Sequence, residues 1–287
     1  MTPTNLPDQR PRLEDPDWIP ARFTEYDVAA SARMRMDWPG ATPGPDSADP
    51  PRWKADPEAD ALIDDSHIAY PPPDGVPLST STAHYAAGVH LHALLQSLIA
   101  LRPHPDWFVA VNLAWYFEKA AVRSNRGPDV MVIPGTPDPA LHRDSYMEWD
   151  EGYRRPTFVF ELMSLGTFRD NLGPKKEIYR ELEVPEYFLF DALGDFIDPP
   201  LQGFRLSRGK YVPIKPDRQG RLLSRELNCL VGRRRTMPTL FDRVTKREVL
   251  TESQRNAAER DAERSRADRL AEKLRELGID PDTITGG

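Results

Sequence analysis

The sequence predicts an α/β or α+β domain with a mixed central sheet, followed by a charged C-terminal helix. Short apolar segments typical of strands alternate with amphipathic segments between residues 61 and 245. In the same region 22 basic and 23 acidic residues nearly cancel, and 39% of the whole chain is hydrophobic, which is enough to form a core. Residues 246–277 are almost all good helix formers and carry 9 basic and 8 acidic residues.

The first 60 residues have a different composition. They contain eleven of the 30 prolines, 12 acidic and 7 basic residues, and no periodic apolar pattern. Such a composition is typical of segments that cannot bury enough apolar surface to fold. We therefore predict three regions: a disordered or loosely packed Pro-rich acidic arm over 1–60, a domain over 61–245, and a charged helix, able to form a coiled coil, over 246–287.

Hydrophobic periodicity predicts the elements of the domain in order. Residues 79–101 begin with serines and threonines able to cap a helix and continue with an apolar stripe at helical spacing, from Ala87 to Leu98. The remaining predicted elements are strands over 107–117, 130–133 and 157–163, a helix over 175–182, a strand over 186–191 buried on both faces, and a hairpin of 204–206 with 211–214.

Composition and missing motifs exclude several classes of protein. A single cysteine, Cys229, excludes a disulfide framework and a cysteine-based zinc site. The phosphate-binding P-loop, the dinucleotide glycine fingerprint, the Gly-x-Ser-x-Gly elbow and the His-Glu-x-x-His zinc helix are absent. No apolar run approaches the roughly 20 residues of a membrane span, so we expect a cytoplasmic protein that is not in a membrane. His84, His90 and His92 have no ligand spacing and are interpreted as surface residues.

Two carboxylates are candidates for chemistry because of their positions in predicted strands. Asp129 follows Pro128 and opens the strand over 130–133, whereas Glu161 lies inside an otherwise apolar strand. Alternation puts Glu161 on the face of Val159 and Met163. An ionised carboxylate in such a strand is costly without a partner or a cation. A turn before a strand and a glutamate at a sheet edge are the structural alternatives.

A lysine pair completes the candidate site. Lys175 and Lys176 begin the predicted helix over 175–182, whose apolar face should pack on the sheet near Glu161. Two acids can hold a hard divalent cation such as Mg²⁺, with Mn²⁺ as a substitute, and water can fill the remaining positions. A cation and a lysine together favour phosphodiester hydrolysis, since they offset charge developing on a phosphoryl oxygen.

Several segments, taken together, resemble one protein family in both order and spacing. They are GPDVMVIPG (127–135), FVFELMS (158–164), KKEIY (175–179), VPEYFLFD (184–191), GFRL (203–206) with Tyr211, GRLLS (220–224) and LRELGIDPD (274–282). This pattern resembles the Uma2 family of bacterial restriction-endonuclease-like proteins, in the PD-(D/E)XK nuclease superfamily. The resemblance covers roughly residues 75–282 and implies an αβββαβ core with nuclease activity.

The resemblance assigns roles to individual residues. It makes Asp129 the aspartate of the PD element and Glu161 the acid of the (D/E)XK element, the two metal ligands. The lysine position two residues after that acid holds Met163. The sequence resembles a variant in which the lysine lies on the following helix, which favours Lys175, with Lys176 as the second choice.

Further carboxylates are auxiliary candidates. The family carries an aspartate just before the Leu-Gly-Pro-Lys stretch, where this chain has Asn171, with Asp170 one residue earlier. Glu118 and Asp191 are also considered as ligands, with structural roles as the alternative for both.

Three functional hypotheses follow. The first is an Mg²⁺-dependent endonuclease acting on nucleic acid, with DNA preferred over RNA. The second is an inactive nuclease fold serving as an interaction scaffold, which the net charge of −7 and Met163 favour. The third is a metal hydrolase acting on small phosphoesters. In each case the C-terminal helix is a candidate for self-association.

Overall fold

The computed structural model describes residues 57–63, 82–102, 106–121, 124–278 and 280–281. Almost all of the predicted N-terminal arm lies outside these residues, and its last four residues form a short helix, α1 (Pro57–Asp60). The other helices are α2 (Thr82–Leu101), α3 (Phe168–Leu172), α4 (Pro174–Glu181) and α5 (Glu252–Glu276).

Thirteen strands are present in the described residues. The strands are β1 (Phe108–Val111), β2 (Trp115–Tyr116), β3 (Asn125–Arg126), β4 (Val130–Ile133), β5 (Tyr146–Met147), β6 (Phe158–Leu162), β7 (Glu186–Phe190), β8 (Leu201–Ser207), β9 (Lys210–Pro213), β10 (Leu222–Ser224), β11 (Cys229–Arg234), β12 (Met237–Asp242) and β13 (Glu248–Val249).

A mixed six-stranded sheet forms the centre of the domain, in the order β1-β4-β6-β7-β8-β9. Only the β6–β7 pair is parallel, and α4 lies between these two strands in the chain, as a parallel crossover requires. The predicted mixed α+β architecture and the αβββαβ order of α2, β1, β4, β6, α4 and β7 are confirmed. The predicted burial of β7 on both faces is also confirmed, since all five of its residues are buried.

Both faces of the central sheet are covered, which separates the core into two clusters. One face carries Phe158, Phe160 and Phe188 and packs against the apolar stripe of α2 and the sheet β10-β11-β12-β13. The opposite face carries Val159 and Tyr187 and packs against α4 and the small sheet β3-β2-β5. Successive residues of β6 therefore alternate between the two clusters, as strand geometry requires.

The predicted strand over 107–117 is in fact two strands that belong to different sheets. The chain turns at Asn112, whose φ is 49°, and its backbone N–H donates to the carbonyl oxygen of Asp129 at 3.1 Å. Asparagine is one of the few residues that adopt this left-handed conformation readily. β1 consequently pairs with β4 in the central sheet, whereas β2 joins the small sheet. Neither the small sheet nor the β10–β13 sheet was predicted as a separate layer.

The C-terminal segment begins inside the second sheet. β13 pairs with β12, so the sheet continues past residue 245, where the predicted domain ends. α5 then begins behind a reciprocal cap in which the hydroxyl of Thr251 accepts from the N–H of Gln254 and the side chain of Gln254 accepts from the N–H of Thr251. None of its 25 residues is buried, and Leu270 is 57% exposed, so self-association through α5 stays a prediction. Among the described helices, none has the length and apolar character needed to cross a membrane.

Candidate active site

The two predicted acids lie side by side on neighbouring strands. Asp129 precedes β4 directly, and Glu161 is the fourth residue of β6, which lies between β4 and β7. Asp129 Oδ2 accepts a hydrogen bond from the backbone N–H of Leu162 at 2.7 Å, so its carboxylate lies beside the residue after Glu161. Glu161 is 0% exposed and Asp129 is 6% exposed. Glu161 is therefore an internal carboxylate, and the sheet-edge alternative is wrong.

Helix α4 supplies two side chains that hold Glu161. Lys175 Nζ lies 2.9 Å from Glu161 Oε2, and the hydroxyl of Tyr179 donates to Glu161 Oε1 at 2.7 Å. Positions four residues apart lie on the same helix face, so one face of α4 meets both oxygens of the buried carboxylate. Pro174 occupies the first turn, where its missing N–H removes no helical hydrogen bond.

Lys176 lies away from this carboxylate. Its Nζ is 3.6 Å from the ring centroid of Phe204, in a cation–π contact. Consecutive residues on a helix lie about 100° apart around its axis, so Lys176 cannot face Glu161 when Lys175 does. Of the two candidate lysines, the geometry brings only Lys175 to the acids.

The auxiliary carboxylates have separate surroundings. Asp170 is partly buried on α3, and its negative charge raises the pKa of Lys175, which places it within electrostatic reach of the site. Glu118 Oε2 accepts from the hydroxyl of Ser124 at 2.6 Å. Asp191 accepts hydrogen bonds from three backbone N–H groups of the turn that follows β7, which organises that turn. Asp170 is thus the auxiliary candidate that the structure connects to Lys175.

His84 is a site residue that the sequence analysis misplaced. It is 5% exposed, and its Nε2 lies 3.5 Å from Asp129 Oδ1, so its interpretation as a surface residue is wrong. The signal was present in the sequence, because His84 precedes Ala87 by three residues and Leu91 by seven. It therefore extends the apolar stripe of α2 by one turn toward the sheet.

Asn171 occupies the position where the resemblance calls for an aspartate. Its side chain is fully buried, and Nδ2 donates to the carbonyl oxygen of Leu162 at 3.2 Å. The carbonyl oxygen of Asn171 in turn accepts from the hydroxyl of Tyr187 at 2.7 Å. Asn171 thereby connects α3 to the end of β6, immediately beside Glu161.

Burial and mutual charge set the protonation of the site. The pKa of Glu161 is raised to about 7, chiefly by loss of solvent and also by the charge of Asp129, against the opposite effects of Lys175 and Tyr179. Burial also opposes the charge of Lys175, but Glu161 and Asp129 outweigh it and raise the pKa of this lysine above its usual value. Lys175 is therefore an ammonium ion at neutral pH.

Asp129 is the ionised member of the acid pair. Its burial alone would raise its pKa, but the hydrogen bond and charge of His84, the charge of Lys175 and the N–H of Leu162 hold the pKa below the usual value. Two neighbouring carboxylates with different proton affinities are typical of sites that bind cations or move protons. In the described part of the chain, no group of three or more His, Cys, Asp or Glu side chains is arranged to hold a metal ion.

The chain is similar to a protein family and to a protein of known structure. A family model named Uma2, with the description "Putative restriction endonuclease", matches residues 56–237. No curated protein matches this chain. A similar solved structure is that of "a putative nuclease belonging to DUF820" from Anabaena variabilis ATCC 29413, with 10% identity, a TM-score of 0.38, and coverage of 51% of this chain and 74% of that chain.

The family match includes all of the acids and lysines of the site. It spans well over half of the chain, and extends from α1 to the start of β12. Both acids and both candidate lysines thus lie in one matched segment, whereas the motif over 274–282 lies outside it. This protein therefore belongs to the Uma2 family.

Proposed function

We propose that this protein is a divalent-metal-dependent endonuclease that hydrolyses phosphodiester bonds in DNA. The observation that carries the proposal is the contact of Lys175 Nζ with Glu161 Oε2, at 2.9 Å, beside a second buried carboxylate, Asp129. Lys175 lies on helix α4 and contacts Glu161 on strand β6, the residue that resembles the acid of the (D/E)XK motif. The nuclease description of the family supports DNA as the substrate.

The donor atoms of the site suit a hard divalent cation. Asp129 and Glu161 offer carboxylate oxygens, which Mg²⁺ and Mn²⁺ prefer. The charge of Asp129 raises the pKa of Glu161, so the two acids repel each other when both are ionised, and a cation between them would relieve this repulsion. Mg²⁺ is commonly bound by one or two carboxylates, with water and substrate oxygens as its other ligands. When bound, the cation would polarise the phosphoryl oxygen and favour ionisation of the attacking water.

The side chains of this chain have distinct tasks in the proposed reaction. Lys175 is a fixed positive charge, since its raised pKa prevents it from acting as a base at neutral pH. It would stabilise the negative charge that develops on the phosphoryl oxygens. Tyr179 holds Oε1 of Glu161, and the N–H of Leu162 holds Oδ2 of Asp129, so both carboxylates are oriented before substrate binds.

Plasmid cleavage with and without Mg²⁺ or Mn²⁺ tests the proposal. We expect cleavage by the wild type and loss of metal binding, measured by titration calorimetry, in Glu161→Gln. Lys175→Met should reduce the cleavage rate by about 100-fold or more, as removal of one charge-stabilising group does in other enzymes. Lys176→Met is the matched control, because it removes an ammonium one residue away that contacts Phe204 instead, and its rate should stay near that of the wild type.

Each negative outcome has a specific meaning. A wild type that binds neither metal and cleaves neither DNA nor RNA would overturn the proposal in favour of the scaffold hypothesis. Cleavage of short nucleotides but not of polymers would identify a small-phosphoester hydrolase. Equal loss of activity in the two lysine variants would contradict the assignment of Lys175.

A further inference from the structure

Arg126 is a further cation close to the candidate active site in the chain. It lies on β3, three residues before Asp129 in the chain, and is partly buried. Its side chain donates from Nη1 to the carbonyl oxygen of Asn125 at 2.6 Å. A guanidinium has five N–H donors, and within the described residues no carboxylate lies within salt-bridge distance of this one.

The small sheet places Arg126 against the candidate active site. Arg126 pairs directly with Trp115 across the β2–β3 ladder, and directly opposed residues project from the same face of a sheet. The ring of Trp115 stacks on the ring of Tyr179, with centroids 6.4 Å apart and an interplanar angle of 8°. The hydroxyl of Tyr179 donates to Glu161. Arg126 therefore lies on the sheet face that packs over Tyr179 and Glu161.

Electrostatics agrees with this placement. Burial lowers the pKa of Arg126, while the charges of Glu161 and Asp170 act on it in the opposite direction, so both acids are within electrostatic reach. A partly buried cation with most of its donors available is suited to an incoming anion, because a guanidinium matches two phosphate oxygens at once.

We infer that Arg126 contacts a phosphate of the nucleic-acid backbone and holds it next to Glu161 and Lys175. This inference rests on the proposed function for the identity of the ligand. Under this inference Lys175 and Arg126 have different roles. Lys175 acts on the reacting phosphoryl group, and Arg126 binds and positions the strand.

The salt dependence of DNA binding tests this role. Fluorescence anisotropy with a labelled duplex in EDTA, where metal-dependent cleavage is absent, gives the association constant at several KCl concentrations. The slope of log K against log [KCl] is negative, and loss of one phosphate contact should reduce its magnitude by about 0.9. We expect this change in Arg126→Gln, together with an affinity about tenfold weaker at low salt. Arg126→Lys should keep the slope, because it keeps the charge, but bind more weakly than the wild type.

Controls separate binding from folding and from catalysis. Arg235→Gln removes one exposed positive charge from the β11–β12 turn and should leave both slope and affinity unchanged. If Arg126→Gln fails to fold, as judged by circular dichroism, Arg126→Met retains the aliphatic stem and removes the same charge. A folded neutral variant with the wild-type slope and affinity would overturn the inference even if the wild type cleaves DNA. Conversely, a reduced slope in a protein that never cleaves DNA would support the phosphate contact and refute the nuclease proposal.

Discussion

Removal of one hydroxyl from the site gives a direct test of whether Glu161 carries a buried charge. Tyr179 and Tyr187 are both 0% exposed, and each donates one hydrogen bond of 2.7 Å. The acceptor of Tyr179 is the Glu161 carboxylate, whereas the acceptor of Tyr187 is the neutral carbonyl oxygen of Asn171. Tyr179→Phe and Tyr187→Phe therefore remove the same atom from equally buried positions and differ mainly in the charge of the acceptor.

The expected magnitudes follow from this difference. A hydrogen bond to a charged group contributes about 1.5–3 kcal/mol to the free energy of unfolding, and one between neutral groups contributes about 0.5–1.5 kcal/mol. At pH 8.5 Glu161, whose pKa is about 7, is mainly ionised, so Tyr179→Phe should lose more stability than Tyr187→Phe. At pH 5.5 Glu161 is mainly protonated, and the losses of the two variants should become similar.

Urea denaturation at the two pH values measures both losses. We expect a larger loss of unfolding free energy in Tyr179→Phe than in Tyr187→Phe at pH 8.5, and a smaller difference between the two losses at pH 5.5. Equal losses at pH 8.5, or a larger loss in Tyr187→Phe, would refute the view that Glu161 is ionised and held by Tyr179. A difference that does not change with pH would refute the raised pKa.

Two further predictions concern the core outside the site. Burial raises the pKa of Glu148 to about 7, above its ordinary value of 4.5, so the stabilisation that its protonated form gives the fold is complete below pH 4.5 and is lost as the pH rises through 7. Between those limits the free energy of unfolding of Glu148→Gln should rise, relative to that of the wild type, by up to about 3 kcal/mol. A pH-independent difference between the two proteins would contradict this. A Cβ at Gly203 would lie 2.9 Å from Phe188 Cε1 and 3.0 Å from Leu222 Cδ1, so Gly203→Ala should lower the free energy of unfolding by about 1–3 kcal/mol. Gly166→Ala, where the new Cβ meets no atom within 4 Å, is its control in thermal melts and should change stability by less than about 0.5 kcal/mol.

The central sheet and both acids could be predicted from local patterns in the sequence. β4, β6 and β7 are short and mainly apolar, and such runs indicate buried strands regardless of what covers them. Glu161 was identified because a charge inside an apolar strand requires a partner. Both signals, the apolar run and the charge within it, depend only on residues that are neighbours in the chain.

The small sheet and the β10–β13 sheet could not be predicted in the same way. β2, β3, β5 and β13 have only two residues each, which is too short for a periodic pattern. Their strands are defined by hydrogen bonds between segments distant in the chain, such as the parallel pairing of Trp115 with Tyr146. That pairing depends on the fold around it rather than on strand propensity.

The sequence by itself determined the fold class, the family motifs and the two acids, because apolar periodicity and a charge in an apolar strand are local properties. The resemblance favoured Lys175 over Lys176, but only the tertiary structure decided which lysine meets Glu161, since one face of α4 packs on the sheet. The packing of α2 on the central sheet likewise placed His84 against Asp129. Contacts between distant segments, and the loss of water that accompanies them, set both the partners and the proton affinities of the site.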